Sequence, residues 1–444
     1  MKMSFQKATI LLCLNAFCAI AQTNNGLVYS KRDDNIIVIE KRSNCTSPLI
    51  SWVFELIKKE MTESVVIPET INNLPVEVIK SEAFVCETNL REIIISKNIW
   101  EVGSHAFFGC TSLTNVVLKS SPYISSYAFY FCTNLQSVFQ NDYDKKDIKG
   151  TIRENAGAVR VGIRDNAFGQ CKKLVNARLG NNIFEIGDRA FSKCESLSNI
   201  KLPSKLEYIG KETFSHCKSL KTIEIPSTLK KLESGAFSFC ENLHEICIPA
   251  QVETIGSHAF ANCSNLVNLT IQDGVKEIGA GAFFNCSSLK SVTIPKSVET
   301  IAAGSFFNCT NLESVFLQEG LKNIGQAAFK GCDELTSIRV PLSVTNIDES
   351  AFRFCNKLTN IVCENIKAKI GESAFEPCEA YYNVAISGNQ WSQLHLGKLY
   401  LLGIGITKDE KRGLDLILKA AKQGNIEAKE LCQQVNSAKQ KLTK

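Results

Sequence analysis

The chain has 444 residues, 44% of them hydrophobic, with 50 Lys and Arg against 45 Asp and Glu for a net charge of +5. That apolar content supports a large core, and ordinary counting would give two or three globular domains. Charge is unevenly placed: Lys2 and Lys7 at the start, ten basic against five acidic residues over 388–444, and about −2 over 22–387, which excludes nucleic acid or an anionic membrane as the main partner of the long middle segment.

Residues 1–21 read as an export signal: Lys2 and Lys7, an apolar run from Ala8 to Ile20, and Ala19-Ile20-Ala21 as a small-x-small cleavage site. Asn15 and two cysteines make the run too short and irregular for an anchor, and Phe17 before Cys18 does not suit lipid attachment. No later apolar run is long enough to cross a bilayer, so no transmembrane segment is expected in the mature chain. An N-terminal cap is expected over 22–62. It comprises a hairpin from Gly26-Leu27-Val28-Tyr29 and Asn35-Ile36-Ile37-Val38-Ile39, then a short helix at Ser51–Met61, where apolar residues fall at helical spacing.

From 63 to 387 the sequence repeats. Phe168, Phe191, Phe214, Phe237, Phe260, Phe283, Phe306, Phe329, Phe352 and Phe375 are each 23 residues apart; each is followed by Cys three residues on, and all but Phe375 by Leu six residues on. A fixed period of this length marks a solenoid, in which one unit cannot bury its apolar face without its neighbours. Earlier coils are looser: Phe107 and Phe129 keep the Phe-Cys-Leu spacing, whereas at Phe84 the cysteine, Cys86, is displaced by one. Between Phe129 and Phe168 lie 16 residues more than one period, and the charged excess near 141–157 is expected to leave the stack as a loop.

Within one unit, Leu289-Lys290-Ser291-Val292-Thr293-Ile294-Pro295 alternates into a short strand that proline ends. Val298-Glu299-Thr300-Ile301 makes a second extended piece, and Ala-Phe-x-x-Cys-x-x-Leu, near one helical turn in spacing, points Phe, Cys and Leu inward together. Twelve of the 19 cysteines occupy the Phe-x-x-Cys position, from Cys110 and Cys132 to Cys378. Stacked identical neighbours have parallel side chains and no unique pairing, so the column is expected to be free thiols packed beside phenylalanine. No histidine shares the column, which leaves no metal set there: His105, His216, His244, His258 and His395 are scattered.

This pattern, in Ile225-Pro226, Leu229, Phe237, Cys240, Leu243 and again in Ile294-Pro295, Val298, Phe306, Cys309, Leu312, resembles the BspA-type leucine-rich repeat, known from surface and secreted proteins. The resemblance implies an α/β solenoid with a parallel strand ladder and short helical turns. After Phe375 the period changes. Leu394–Gly405, Asp409–Gly413 and Leu418–Asn425 resemble a Sel1-like repeat, which implies a C-terminal α-helical hairpin over 388–444 with Gly397, Ala420 and Ala421 at close helix contacts. The expected inter-helix turn is Gly403-Ile404-Gly405. A single hairpin with a trailing helix, where such repeats usually come in series, favours a cap over an independent groove.

No G-x-S-x-G, H-E-x-x-H or Walker sequence occurs, and Gly403-x-Gly405 follows a helix and lacks a third glycine. No catalytic, cofactor-binding or metal-ligating residue is therefore expected, and the chain is read as a non-enzyme. Recognition is expected where repeats vary. The outward position between the last two apolar strand residues reads Ile94, Val117, Phe139, Arg178, Lys201, Glu224, Cys247, Thr270, Thr293, Phe316, Arg339 and Val362. Phe139, Arg178, Lys201, Phe316, Arg339 and Val362 are the ligand-binding candidates; two positions earlier runs a ladder of mostly Ser, Thr and Asn. The same pattern also suits a plain solvated sheet with cross-strand polar pairs. The family resemblance implies a secreted or cell-surface protein that binds a host or envelope protein or extracellular matrix. The alternatives are a periplasmic scaffold recruiting a partner through the Sel1-like end and a glycan-binding module.

Overall fold

The computed structural model describes residues 22–24, 27–31, 37–40, 63–71, 73–140, 161–365, 367–371, 373–376, 388–402 and 408–442. The export signal over 1–21, the helix at Ser51–Met61, the loop near 141–157, Cys378 and the turn at Gly403-Ile404-Gly405 lie outside these residues. The chain forms two compact units, 1–206 and 207–444.

A coil of the second unit shows how the sequence sets the fold. Over Ser291–Ile294 the side chains alternate, with Ser291 and Thr293 exposed and Val292 and Ile294 buried, because successive strand residues point to opposite faces. The strand pairs in parallel with Ser314–Leu317, one period on. Pro295 brings no N–H to the ladder, and Val298 N–H donates to its carbonyl at 3.0 Å, closing the turn. Thr300–Ile301 then pairs in parallel with Glu277–Ile278 and Asn323–Ile324, burying Ile301.

The third side of the coil is made of single turns. Ala282, Phe284 and Cys286 N–H donate to the carbonyls three residues back, at 3.1, 2.9 and 3.2 Å. The intervening Gly281, Phe283 and Asn285 N–H donate to the next coil, at 2.9, 2.7 and 2.8 Å. Two left-handed residues flank each phenylalanine of the column from Phe84 to Phe352, two before and two after it, as at Gly281 and Asn285 with φ of +60° and +59°. They break the helical run and turn alternate amides outward along the stack. The expected helical turns are thus single turns stitched into a third inter-coil ladder.

The phenylalanines form the core. Phe237, Phe260, Phe283, Phe306 and Phe329 are fully buried, and successive rings lie 5.2–5.3 Å apart within 11° of parallel. Each column cysteine from Cys240 to Cys355 donates its thiol to the carbonyl of the phenylalanine one coil back, at 3.2–3.4 Å. That carbonyl also accepts the amide of its own coil's cysteine, as Phe260 O does from Cys263 N at 3.3 Å. The residue is therefore a small filler that satisfies a buried acceptor.

In the first unit the strands Ser64–Val66, Glu92–Ile95, Asn115–Leu118, Ser137–Gln140, Asn176–Arg178 and Asn199–Lys201 pair in parallel in that order. Ser137 pairs with Asn176 despite the long interval, and the Phe129 and Phe168 rings stack at 5.1 Å. The extra residues therefore do not interrupt the ladder. Cys86, displaced in the sequence, sits exposed at a left-handed position and outside the buried column. Leu27–Lys31 and Ile37–Glu40 pair as an antiparallel hairpin, and the latter continues in parallel onto Leu74–Ile79.

The second unit ends in three helices, α1 (Gln390–Leu402), α2 (Glu410–Lys422) and α3 (Ile426–Leu442). Asn389 caps α1, accepting from Trp391 and Ser392 N–H at 3.0 and 2.9 Å, while its amide donates to Ala368 O of the last coil. His395 bonds Ile370 O of the same coil at 3.0 Å. Leu394, Ile417, Ala420, Ala421 and Ala428 make a separate small core. A Cβ on Gly397 would stand 2.8 Å from Gly413 O, so the close approach of α1 and α2 requires glycine there.

Candidate functional site

Strand alternation places all six candidate residues outward. In the first unit Phe139 lies beside Val117 and Arg178, and Arg178 beside Lys201. In the second, Phe316 lies between Thr293 and Arg339, and Arg339 between Phe316 and Val362. The structure thus gathers the candidates into two triplets, one in each unit. Glu224 falls in a segment that is not a strand. Phe316 and Val362 keep 59% and 47% of their surface exposed, too much for core residues, and each is one coil from Arg339. Arg339 between them is held by an ion pair to Glu364, a partner that the repeat pattern alone did not flag. The polar row beside the first triplet is cross-bonded: Ser137 Oγ donates to Asn115 Oδ1 at 2.6 Å and Asn199 Nδ2 to Asn176 Oδ1 at 3.1 Å.

A second surface, the ridge of single turns, carries aromatic side chains that sequence reasoning did not single out. In the first unit His105 stacks on Tyr127 at 5.0 Å and Phe108 on Tyr130 at 5.7 Å, with Phe131 44% exposed beside them. In the second, His216 stacks on Phe239 at 4.4 Å and Phe284 on Phe307 at 5.3 Å. Lys330 stands 5.5 Å from the Phe307 and Phe354 rings alike. Tyr127, Phe131, His216, Phe239 and Phe354 occupy left-handed positions, with φ between +59° and +64°. Side chains with a Cβ cost about 1–2 kcal/mol there. At the place of Phe131, His216, Phe239 and Phe354, other coils use Asn262, Asn285, Asn308 and Gly331, residues suited to that conformation. The available signal was the position two residues on either side of the phenylalanine, but its conformation is invisible until the inter-coil bonding is known.

The thiols offer little chemistry. Burial pushes Cys263 and Cys309 up to about 12 and holds Cys240, Cys286 and Cys332 well above the ordinary thiol range, so the nucleophilic thiolate is suppressed. Among the described residues, no group of three or more His, Cys, Asp or Glu is placed to hold a metal ion, and no helix is long and apolar enough to cross a membrane.

Comparison with known proteins agrees with this geometry. The family model of the BspA type leucine rich repeat region matches in six copies, over residues 57–149, 161–290 and 276–392. A leucine-rich repeat protein from Bacteroides ovatus is 24% identical, with 81% of this chain and 92% of that chain covered and a TM-score of 0.53. A leucine rich cell surface protein from Faecalibacterium prausnitzii is 24% identical over 78% and 95%, at a TM-score of 0.36. The pneumococcal vaccine antigen PcpA is 16% identical over 81% and 92%, at 0.41. The Bacteroides ovatus match shows a shared fold. No curated protein matches the sequence.

Proposed function

This chain belongs to the BspA-type leucine-rich repeat family, and from that premise we propose that it is an exported, non-enzymatic protein that binds a protein or extracellular-matrix ligand at the cell surface. The observation that carries the reading is the strand face at Phe316, Arg339 and Val362. Two exposed apolar side chains flank a guanidinium on a rigid ladder, the arrangement that interface anchors adopt. Phe139, Arg178 and Lys201 offer a more cationic version of the same arrangement. The export part rests on the charged and apolar character of residues 1–21. The helical end, read as Sel1-like, serves as a cap, because Asn389 and His395 tie α1 to carbonyls of the last coil.

The test is capture of the purified chain by immobilised extracellular-matrix extract, comparing the native sequence with Phe316→Ser/Arg339→Ser. Thermal stability should change little and capture should fall by tenfold or more, since a hot spot is worth about 2 kcal/mol or more. A chain lacking 388–444 that stays folded and loses capture, while the face variant keeps it, would move recognition to the helical end and favour the periplasmic scaffold. Protease shaving of intact cells, followed by blotting for the chain, separates surface from periplasm.

A further inference from the structure

The ridge of the second unit drops over the coils of Phe214, Phe237 and Phe260. At the position following the core phenylalanine, Phe284 and Phe307 carry stacked rings, but the three preceding coils carry Ser215, Ser238 and Ala261, all buried by their neighbours. The result is a trench of about 490 Å³ whose floor is those three residues, a volume within the range of small-ligand sites. One wall is His216, Phe239 and Asn262; the other is formed by Glu212, Gly235 and His258. Two ring stacks end at this trench from opposite directions. Phe307–Phe284 stops at Ala261, and His216–Phe239 stops at Asn262. Phe239 and Phe284, in neighbouring columns, belong to coils two steps apart, and each step is 5.3 Å along the core column.

Its polar groups carry balanced charge at the rim and amides within. A row of side-chain amides runs from Asn308 Nδ2 to Asn285 Oδ1 at 2.8 Å and from Asn285 Nδ2 to Asn262 Oδ1 at 2.9 Å. It ends there because the next coil carries Phe239, which cannot accept, so among the described residues the Asn262 amide donors meet no acceptor in that row. Likewise Ser238 Oγ donates to Ser215 Oγ at 2.9 Å along the trench floor. Lys211 and Glu212 place one positive and one negative charge at the rim, which favours neither an anion nor a cation. The main chain gives a peptide strand nothing to pair with, since Gly235, Phe239, His258 and Asn262 N–H all donate to the neighbouring coil. Phe239 meanwhile holds a left-handed conformation with 38% of its surface exposed, a strain that its burial does not explain.

We propose that this trench binds a neutral saccharide, one pyranose ring lying above Ala261 between the coils of Phe239 and Phe284, its hydroxyls bonded by Asn262 and His258. Exposed aromatic rings suit the C–H faces of a sugar, and the side-chain amide at the end of its row suits the sugar's rim. The site is separate from the strand face. It is tested by isothermal titration of the full chain with cellohexaose, maltohexaose and chitohexaose, each to about 10 mM, which spans the weak millimolar range.

Ala261→Phe is the informative variant, because it fills the trench at that position with the residue that the next two coils already carry and so keeps the fold. At least one saccharide should bind the native chain. Ala261→Phe should abolish that binding with the melting temperature unchanged or raised. Asn262→Gly, which keeps the left-handed conformation available, should weaken it about tenfold, as expected for one lost hydrogen-bonding group. Phe316→Ser/Arg339→Ser should bind saccharide as the native chain does, whatever becomes of protein capture. No heat with any of the three saccharides, undiminished binding by Ala261→Phe, or binding of a proline decapeptide in their place would overturn the proposal.

Discussion

Replacing Phe260 with Ala tests the core directly. The side chain is fully buried, and its ring lies 5.3 Å from both Phe237 and Phe283, within 3° of parallel to each. Its main chain is held independently: Phe260 N–H donates to Ala282 O at 2.8 Å, and its carbonyl accepts from Cys263 N–H and the Cys286 thiol. The substitution should therefore remove side-chain packing and leave the ladders in place. Transfer and cavity terms together amount to about 3–5 kcal/mol for such a residue. Each stacked ring pair is worth about 0.5–1.5 kcal/mol beyond its area, and two such pairs put the expected loss in the upper half of that range. Urea titration followed by circular dichroism should show a lower midpoint with an unchanged slope. Exposed Phe316→Ser, as a control, should stay within about 0.5 kcal/mol of the native chain. In Phe260→Ala/Phe283→Ala the losses should fall short of additive by about the value of one stacked pair. A loss below about 1 kcal/mol for Phe260→Ala would refute the reading that the column carries the stability of the coils.

Under denaturing, non-reducing conditions most column cysteines should titrate as free thiols, whereas in the native chain they should react slowly and exposed Cys247 should react at once; fewer than half recovered free would defeat the packing account. The same burial makes stability fall with rising pH. Folded Cys263 and Cys309 ionise near 12 and the unfolded thiols near the ordinary value of 9.0, so above about 9 the unfolded chain binds fewer protons. Each such thiol then costs about 1.4 kcal/mol per pH unit until the folded value is reached. Equal urea midpoints at pH 8 and pH 10 would contradict this. Gly397→Ala should lower the melting temperature of the helical end by pressing a Cβ onto Gly413 O; an unchanged temperature would mean that α1 and α2 can part without loss.

The coil was legible because its inward positions are chemically monotonous. Phe260, Cys263 and Leu266 recur at fixed spacing, and alternation at Val292 and Ile294 assigns the strand and its faces at once. The pairing of Phe316 with Thr293 and Arg339 followed from the period alone, since parallel coils of equal length leave only one register. Glu364 was not legible as the partner of Arg339, because it lies beyond the strand, 25 residues on, where the period specifies nothing. The ridge was hidden for a deeper reason. Positions 239 and 262 are equivalent by count, but one holds Phe and the other Asn, and only the conformation they share reveals that the first is strained and the second at ease.

The cysteine column joins stability to the environment proposed for the chain. An exported protein with many thiols would ordinarily oxidise them, and a ladder of identical neighbours has no single correct pairing. Here each thiol donates to the phenylalanine carbonyl one coil back and sits in a space closed by stacked rings. A disulfide between neighbours would remove two S–H donors and leave two buried carbonyls each short of a partner, in addition to bending parallel side chains toward one another. Burial also keeps the thiol form dominant far above neutral pH, and it is the thiolate that reacts with oxidants and attacks disulfides. The packing that holds the coil together thus also keeps its sulfur inert. The outer faces, where Phe316 and Phe239 stand exposed, are left to vary from coil to coil without risk to the core.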